Sequence, residues 1–191
     1  LLVLLNNLLD MAKLESGQSN FNPQEQGITK LLNQGVDELN MLAADKNISI
    51  NLNKNTNIQA WFDYTLVLQV LINLLSNAIK FSPLESQIEV GVYKSSEKIG
   101  QRESDSEIEV LNIYVVDHGV GIPESELEMI FDKFSQSTTT KTGAGGTGLG
   151  LSICKEIIML HRGDIYAKNN PAEGATFTFC IPIHKPKWCD R

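Results

Sequence analysis

The residues best suited to chemistry fall in three places. The run Gly143-Ala144-Gly145-Gly146-Thr147-Gly148-Leu149-Gly150 packs five glycines into eight positions, directly ahead of the apolar segment Leu151-Ser152-Ile153-Cys154-Lys155-Glu156-Ile157-Ile158. Glycine lets a backbone approach an anion closely and take positive φ, and the start of a helix adds unpaired N–H donors and a positive dipole end. That is the chemistry of a phosphate cradle. Gly143, Gly145 and Gly148 formally satisfy G-x-G-x-x-G, but the polar, irregular residues 135–142 stand where a dinucleotide-binding turn needs a strand. A Walker loop is excluded because no Gly-Lys pair occurs in the chain. A flexible linker would not lead straight into a helix with an apolar stripe.

Asn73 and Asn77 form the second place, four residues apart on an otherwise apolar helical segment, with Lys80 continuing their face. Either both amides satisfy backbone groups in a core, or this face meets a metal-bound polyphosphate. Two amides at helical spacing beside a lysine favour the second: Asn offers an oxygen to a hard cation without adding negative charge, and Lys supplies charge to phosphate oxygens. Asp117 is the third place, at the end of the strand-like Asn112-Ile113-Tyr114-Val115-Val116 and before His118-Gly119-Val120-Gly121-Ile122-Pro123. Taken alone it reads as a turn residue, whereas beside two glycines it can accept a hydrogen bond from a ligand's exocyclic amine.

Other elements must position these groups. Residues 28–46 read as an amphipathic helix with Leu31, Leu32, Val36, Leu39 and Leu42 inward, and Asp63 caps the helix carrying the asparagines, which is apolar nearly all round and expected to be buried. Strands are expected at 21–26, 48–52, 88–93, 108–116, 164–168 and 175–181, with the polar residues 94–107 as a solvated hairpin loop. Helices with mostly antiparallel strands imply an α+β sandwich, helices layered on one sheet face and the other face open to solvent. The chain opens on a helical stripe of Leu1, Leu4, Leu5, Leu8, Met11, Ala12 and Leu14 that ends at Gly17. That stripe fits packing on the domain behind it or a helical seam with a second chain, and the hinge-like residues 16–20 favour the seam.

A net charge of −7 argues against general nucleic-acid affinity, so an anion must be bound locally. Cys154, Cys180 and Cys189 have no C-x-x-C spacing, which disfavours a zinc site or disulfide framework. No stretch approaches the roughly 18 apolar residues of a membrane span.

Together, Gln69-Val70-Leu71-Ile72-Asn73-Leu74-Leu75-Ser76-Asn77-Ala78-Ile79-Lys80-Phe81-Ser82, Val116-Asp117-His118-Gly119-Val120-Gly121-Ile122-Pro123, Ile130-Phe131-Asp132-Lys133-Phe134 and Gly146-Thr147-Gly148-Leu149-Gly150-Leu151 resemble the N, G1, F and G2 boxes of sensor histidine kinases. The resemblance covers roughly residues 21–183 and implies the GHKL, or Bergerat, ATP-binding fold: a two-layer α/β sandwich with a mixed, mostly antiparallel sheet, plus an N-terminal helix. It divides the chain into the C-terminal part of a dimerisation and phosphoacceptor domain (1–17), a linker and first strand (18–27), the catalytic ATP-binding domain (28–183) and a tail or linker (184–191). It implies that Asn77 binds Mg2+, that Asn73 and Lys80 lie near the phosphates, and that Asp117 takes the adenine amino group where Gly119 and Gly121 admit the base. Phe81 and Ile122 join that nucleotide site. Gly146, Thr147, Gly148, Leu149 and Gly150 would contact phosphate, residues 135–145 would form an ATP lid anchored by Phe131 and Phe134, Lys141 would reach the γ-phosphate, and Thr176 would touch adenine through water. Phe131 and Phe134 read almost as well as ordinary core aromatics.

Two positions depart from the family pattern: His118 stands where Asn is usual, and Gln136 where the lid often carries Arg. None of His118, His161 and His184 lies on the opening helix, so the acceptor histidine is expected upstream. The implied cofactors are ATP and Mg2+. The implied partners are a second copy, through the helical domain, and a response regulator or receiver domain, with neither nucleic acid nor membrane contacted by this cytoplasmic segment. A nucleotide-sensing module without transfer activity and another GHKL ATPase are the rival readings.

Overall fold

The computed structural model describes residues 5, 8, 9, 11, 12, 14, 21–53, 58–98, 107–138 and 148–185. Apolar residues at helical spacing produce α1 (Ile28–Ala44), α2 (Tyr64–Phe81) and α3 (Gly150–Leu160). Alternating or continuous apolar runs produce β1 (Gln24–Gly27), β2 (Ser49–Leu52), β3 (Gln59–Phe62), β4 (Gln87–Lys98), β5 (Glu107–Val116), β6 (Ile165–Asn169) and β7 (Ala175–Pro182). Five strands form one sheet in the order β2-β4-β5-β7-β6, with β2 parallel to β4 and the other pairs antiparallel, while β1 and β3 pair as a separate ribbon.

All three helices contribute to one core. Leu31 and Leu32 of α1, Leu71, Leu74 and Leu75 of α2, and Ile153 and Ile157 of α3 meet Ile88, Val90, Ile113, Phe179 and Ile181 of the sheet. Burying this many large aliphatic side chains, at about 1.5–3 kcal/mol each, is what holds the helical layer on the sheet. The sheet's other face is less open than expected. Tyr93 and Tyr114 lie with ring centroids 6.2 Å apart, the Tyr93 and Tyr166 hydroxyls are 3.4 Å apart, and Asn112, Thr178 and Cys180 are buried on the same strands.

Several boundaries moved, each for a local reason. The expected loop at 94–107 is wrong at both ends: Lys94 to Lys98 pairs with Leu111 to Glu107, so β4 and β5 continue as a ribbon. Ladder hydrogen bonds belong to the backbone, so polar side chains do not stop such an extension. β3 was missed because four residues carry too little pattern. Two short 3-10 turns, Glu124–Glu126 and Met129–Phe131, also had no periodic signature. Helix α1 stops at Ala44, and Asn47 turns the chain with φ 54°.

The opening segment is helical at its described positions. Met11 is buried in the core and Leu14 packs against it, whereas Leu5, Leu8 and Leu9 are 54%, 39% and 50% exposed.

Candidate functional site

The start of α2 is fixed by Asp63, whose Oδ1 accepts the Leu66 N–H at 3.2 Å while Oδ2 accepts the Asn22 N–H at 2.9 Å. Asp63 also donates its own N–H to Nε2 of the buried His161, 3.0 Å away, and His161 Nδ1 donates to the Ile157 carbonyl at 2.7 Å. These bonds require the neutral imidazole with its proton on Nδ1. Burial accordingly pushes the His161 pKa below its ordinary 6.5, against the opposing pull of the Ile157 carbonyl and the Asp63 charge.

The end of α2 has a cation of its own. Lys46 Nζ donates to the carbonyls of Ile79 and Lys80, each at 2.9 Å, and of Ser82 at 3.0 Å. It thereby satisfies the helix's terminal acceptors and its negative dipole end together. Between these anchors, Asn73 and Asn77 share a half-buried face and Asn77 Nδ2 donates to Asn73 Oδ1 at 3.3 Å, so each amide meets the other rather than the core backbone. Lys80 Nζ sits 4.9 Å from the Phe81 ring centre. Helix α2 is therefore not buried all round: the asparagine and lysine stripe reaches solvent.

The two other places converge on this stripe. A Cβ on Gly150, the first residue of α3, would stand 2.8 Å from both Nδ2 and Oδ1 of Asn73, so the end of the glycine run lies against the N-box face. Gly148 has φ +69°, and a Cβ there would come within 2.8 Å of the Phe134 carbonyl carbon, which makes glycine a requirement at this turn. Leu149 is fully buried, and its carbonyl accepts the Ile153 N–H at 3.0 Å and the Ser152 hydroxyl at 2.9 Å. On the far side, a Cβ on Gly119 would lie 2.9 Å from the Phe81 carbonyl oxygen, so the loop after β5 abuts the end of α2.

Asp117 is only 5% exposed. Its Oδ1 accepts N–H groups from Gly119 at 2.8 Å and Ala175 at 3.2 Å, whereas Oδ2 has no hydrogen bond among the described residues. Desolvation raises its pKa above the ordinary 3.8 even though both N–H donors and His118 oppose the shift. Gly174, with φ +83°, closes against the Asp117 carbonyl so tightly that any Cβ would overlap it.

The donor set matches a purine nucleotide: a buried acceptor for an amine, a tight glycine turn at a helix start, and a polar helical stripe between them. It also matches a cation shared with phosphates. Asn77 engages its Nδ2, which leaves its Oδ1 available, and the described residues contain no cluster of three His, Cys, Asp or Glu able to hold a metal unaided.

Of the other expected contacts, Lys141, Gly146 and Thr147 lie outside the described residues. The two F-box aromatics separate: Phe131 is buried edge-on against Phe177, while Phe134 is 63% exposed with φ 62° beside Gly148. Thr176 donates its hydroxyl to Asn170 Oδ1 at 2.6 Å, and Ile122 is held by Asn169 through both backbone groups. His118 Nδ1 lies 2.8 Å from the Gln87 carbonyl, and the exposed His184 lies 2.9 Å from Glu109. Lys46, His161, Asn169 and Asn170 were missed; only the lysine near a helix end and the Asn-Asn pair carried any signal. Clefts of about 820 Å3 beside α1 and about 380 Å3 between the opening helix and α3 are lined by none of the site residues. Contrary to the expectation that no stretch approaches a membrane span, helix α2, alone among the described helices, is long and apolar enough to cross a bilayer by length and composition, but most of its apolar residues are buried in the core.

Residues 62–185 match the family described as histidine kinase-, DNA gyrase B-, and HSP90-like ATPase. The catalytic domain of histidine kinase ThkA is similar over 85% of this chain and 98% of that one, with 30% identity and a TM-score of 0.66. The autoinducer 2 sensor kinase/phosphatase LuxQ of Vibrio vulnificus is 34% identical over 188 residues, which is 97% of this chain and 21% of LuxQ. The sensor histidine kinase WalK of Bacillus subtilis is 32% identical over 180 residues, 94% of this chain and 28% of WalK. The chain thus spans less than a third of the length of either curated relative.

Proposed function

Because the chain belongs to the histidine kinase-, DNA gyrase B- and HSP90-like ATPase family, as a catalytic ATP-binding domain of the sensor histidine kinase type, we propose that it positions Mg-ATP for transfer of the γ-phosphate to a histidine carried by a dimerisation domain, and from there to a response regulator. The observation that carries this reading is the Asp117 carboxylate, with Oδ1 saturated by two backbone donors and Oδ2 open, in a loop that abuts the α2 helix bearing Asn73, Asn77 and Lys80.

Asp117 Oδ2 would accept a hydrogen bond from the adenine amino group, and Gly119, Gly121, Ile122, Phe81 and Thr176 would shape the space for the base. Asn77 Oδ1 would hold Mg2+, Asn73 and Lys80 would face the phosphate chain, and the backbone of Gly146 to Gly150 would contact it, with Lys141 and Phe134 assigned to the lid. Bound Mg2+ spreads negative charge away from the transferring phosphoryl group. The chain's own contribution is orientation and electrostatics, since phosphoryl transfer leaves a protein little covalent work.

The acceptor imidazole comes from elsewhere: His161 is buried with both ring nitrogens engaged, and neither His118 nor His184 lies on the opening helix. In this reading residues 1–17 end the dimerisation domain, 18–27 are a linker and first strand, 28–183 are catalytic and 184–191 are a tail or linker. The exposed Leu5, Leu8 and Leu9 support pairing of that helical domain with a second copy, and a catalytic segment of this kind works in the cytoplasm. The test adds a separately prepared histidine-bearing helical domain to this chain with γ-labelled ATP. Label on the added histidine supports the proposal. A chain that binds ATP and never labels it would reduce the function to nucleotide sensing.

A further inference from the structure

We propose that Asn169 and Asn170 are positioning residues for the base-recognising loop, a two-amide clamp at the end of β6 that sets where Asp117 and Ile122 stand and thereby which purine the site selects. The inference rests on the reading of Asp117 as the acceptor of the adenine amine.

The two side chains hold opposite ends of one loop. Asn169 Oδ1 accepts the Ile122 N–H at 2.9 Å and its Nδ2 donates to the Ile122 carbonyl at 2.7 Å, so a single primary amide pairs with both backbone groups as a neighbouring strand would. Its Nδ2 also lies 3.3 Å from Glu124 Oε1. Asn170 Nδ2 donates to the Asp117 carbonyl at 2.9 Å and the Glu173 carbonyl at 3.3 Å, while Oδ1 accepts the Thr176 hydroxyl at 2.6 Å. Asn169 is the last residue of β6 and Asn170 the first beyond it, and the two side chains reach the exit and the entry of the same loop.

Asn170 also makes turn-local bonds to Glu173 and Thr176, but the bonds to Ile122 and Asp117 span 47 and 53 residues, whereas the Asx hydrogen bonds expected of an Asn-Asn-Pro turn stay within a few residues. The tethered loop contains Gly119 and Gly121, the latter at φ +69°, and so has more backbone freedom to lose on binding than other sequences. A loop fixed at both ends before a ligand arrives has already lost that freedom, which strengthens binding without any direct contact. Because Asp117 N–H and Oδ1 are also tied to Ala175, release of its carbonyl tilts the carboxylate instead of freeing it. The consequence falls on base discrimination.

The test uses two near-isosteric variants of the full chain. Asn170→Asp keeps the acceptor for Thr176 and removes the donor to Asp117; Asn169→Asp keeps the acceptor for the Ile122 N–H and removes the donor to its carbonyl. ATP and GTP affinities are measured by calorimetry well below each variant's melting temperature. A lost hydrogen bond of ordinary net worth predicts about three- to tenfold weaker ATP binding and a similar narrowing of the ATP-to-GTP preference. The narrowing should vanish in an Asp117→Asn background, because residues acting through Asp117 are not additive with it. Wild-type preference in both variants, or an undiminished effect in that background, overturns the clamp. Should the variants fail to fold, amide hydrogen exchange in the wild-type chain decides: the Ile122 N–H is slow if clamped and fast if not. A wild-type chain without adenine preference would instead overturn the nucleotide reading.

Discussion

Replacing Asp117 with asparagine should move affinity and stability in opposite directions. In the wild-type chain Oδ1 serves the Gly119 and Ala175 N–H groups, and Asn can keep both bonds with its own Oδ1. Nδ2 then stands where Oδ2 stood, so an adenine amine meets a donor instead of an ionised acceptor. A charge-assisted hydrogen bond contributes about 1.5–3 kcal/mol, and leaving a donor facing a donor adds about 1 kcal/mol or more, so ATP affinity should fall roughly a hundredfold. Stability follows the other sign. Desolvation raises the folded pKa of Asp117 above the unfolded 3.8, so its favourable contribution is present below the unfolded pKa and is lost as pH rises through the folded value. At neutral pH the buried charge is a net cost, and the neutral amide removes it. Calorimetric titration with Mg-ATP and thermal melting of the same samples should therefore give weak binding with an unchanged or higher melting temperature. A variant that melts several degrees lower, or one that binds ATP as the wild type does, would refute the assignment of an open, destabilising carboxylate. The same linkage predicts that wild-type ATP affinity falls as pH drops through the raised Asp117 pKa, with a proton released on binding.

The remaining expectations concern the scaffold around that carboxylate. Lys46→Met removes three hydrogen bonds from the end of α2 and should cost about 2–3 kcal/mol in urea unfolding, with weaker ATP binding because Lys80 and Phe81 lose their support; an unchanged midpoint would remove Lys46 from the account. For His161 the folded pKa lies below the unfolded 6.5, so stability is full above 6.5 and declines as pH falls from there toward the folded value. Denaturation on either side of 6.5 should show that slope in the wild type and lose it in His161→Gln. Gly148→Ala places a Cβ 2.8 Å from the Phe134 carbonyl carbon at positive φ, a local strain of about 1–2 kcal/mol before any clash, and should weaken ATP at least tenfold. Full affinity in that variant would mean the turn does not face phosphate.

What could be read in advance was what short-range spacing encodes. Asn73 and Asn77 announce themselves because a four-residue interval on an apolar helix has one geometric meaning, and Gly150 meets that face where the glycine run was expected to meet a ligand. Asp117 was legible as a polar residue at the end of a strand. The parts that were not legible join residues distant in sequence: Asp63 with His161 across 98 positions, Lys46 with Ile79 across 33, and Asn170 with Asp117 across 53. Such bonds leave no period or local composition to read. The two F-box phenylalanines show the same limit from the other side, since identical residues three apart end up buried and exposed because the 3-10 turn ends at Phe131, Asp132 is extended and Phe134 turns at positive φ. The polar extension of β4 was missed because pairing there depends on backbone bonds, which sequence pattern does not record.

The proposed function has Mg-ATP bound between Asp117 and the asparagine stripe of α2. Its most direct test is calorimetric titration with ATP, with and without Mg2+, of the wild-type chain and of Asn77→Ala. Mg2+ should strengthen wild-type binding, and Asn77→Ala should erase this strengthening while retaining weak, metal-independent adenine binding. Equal Mg2+ dependence in the two proteins, or no binding by the wild type, would contradict it.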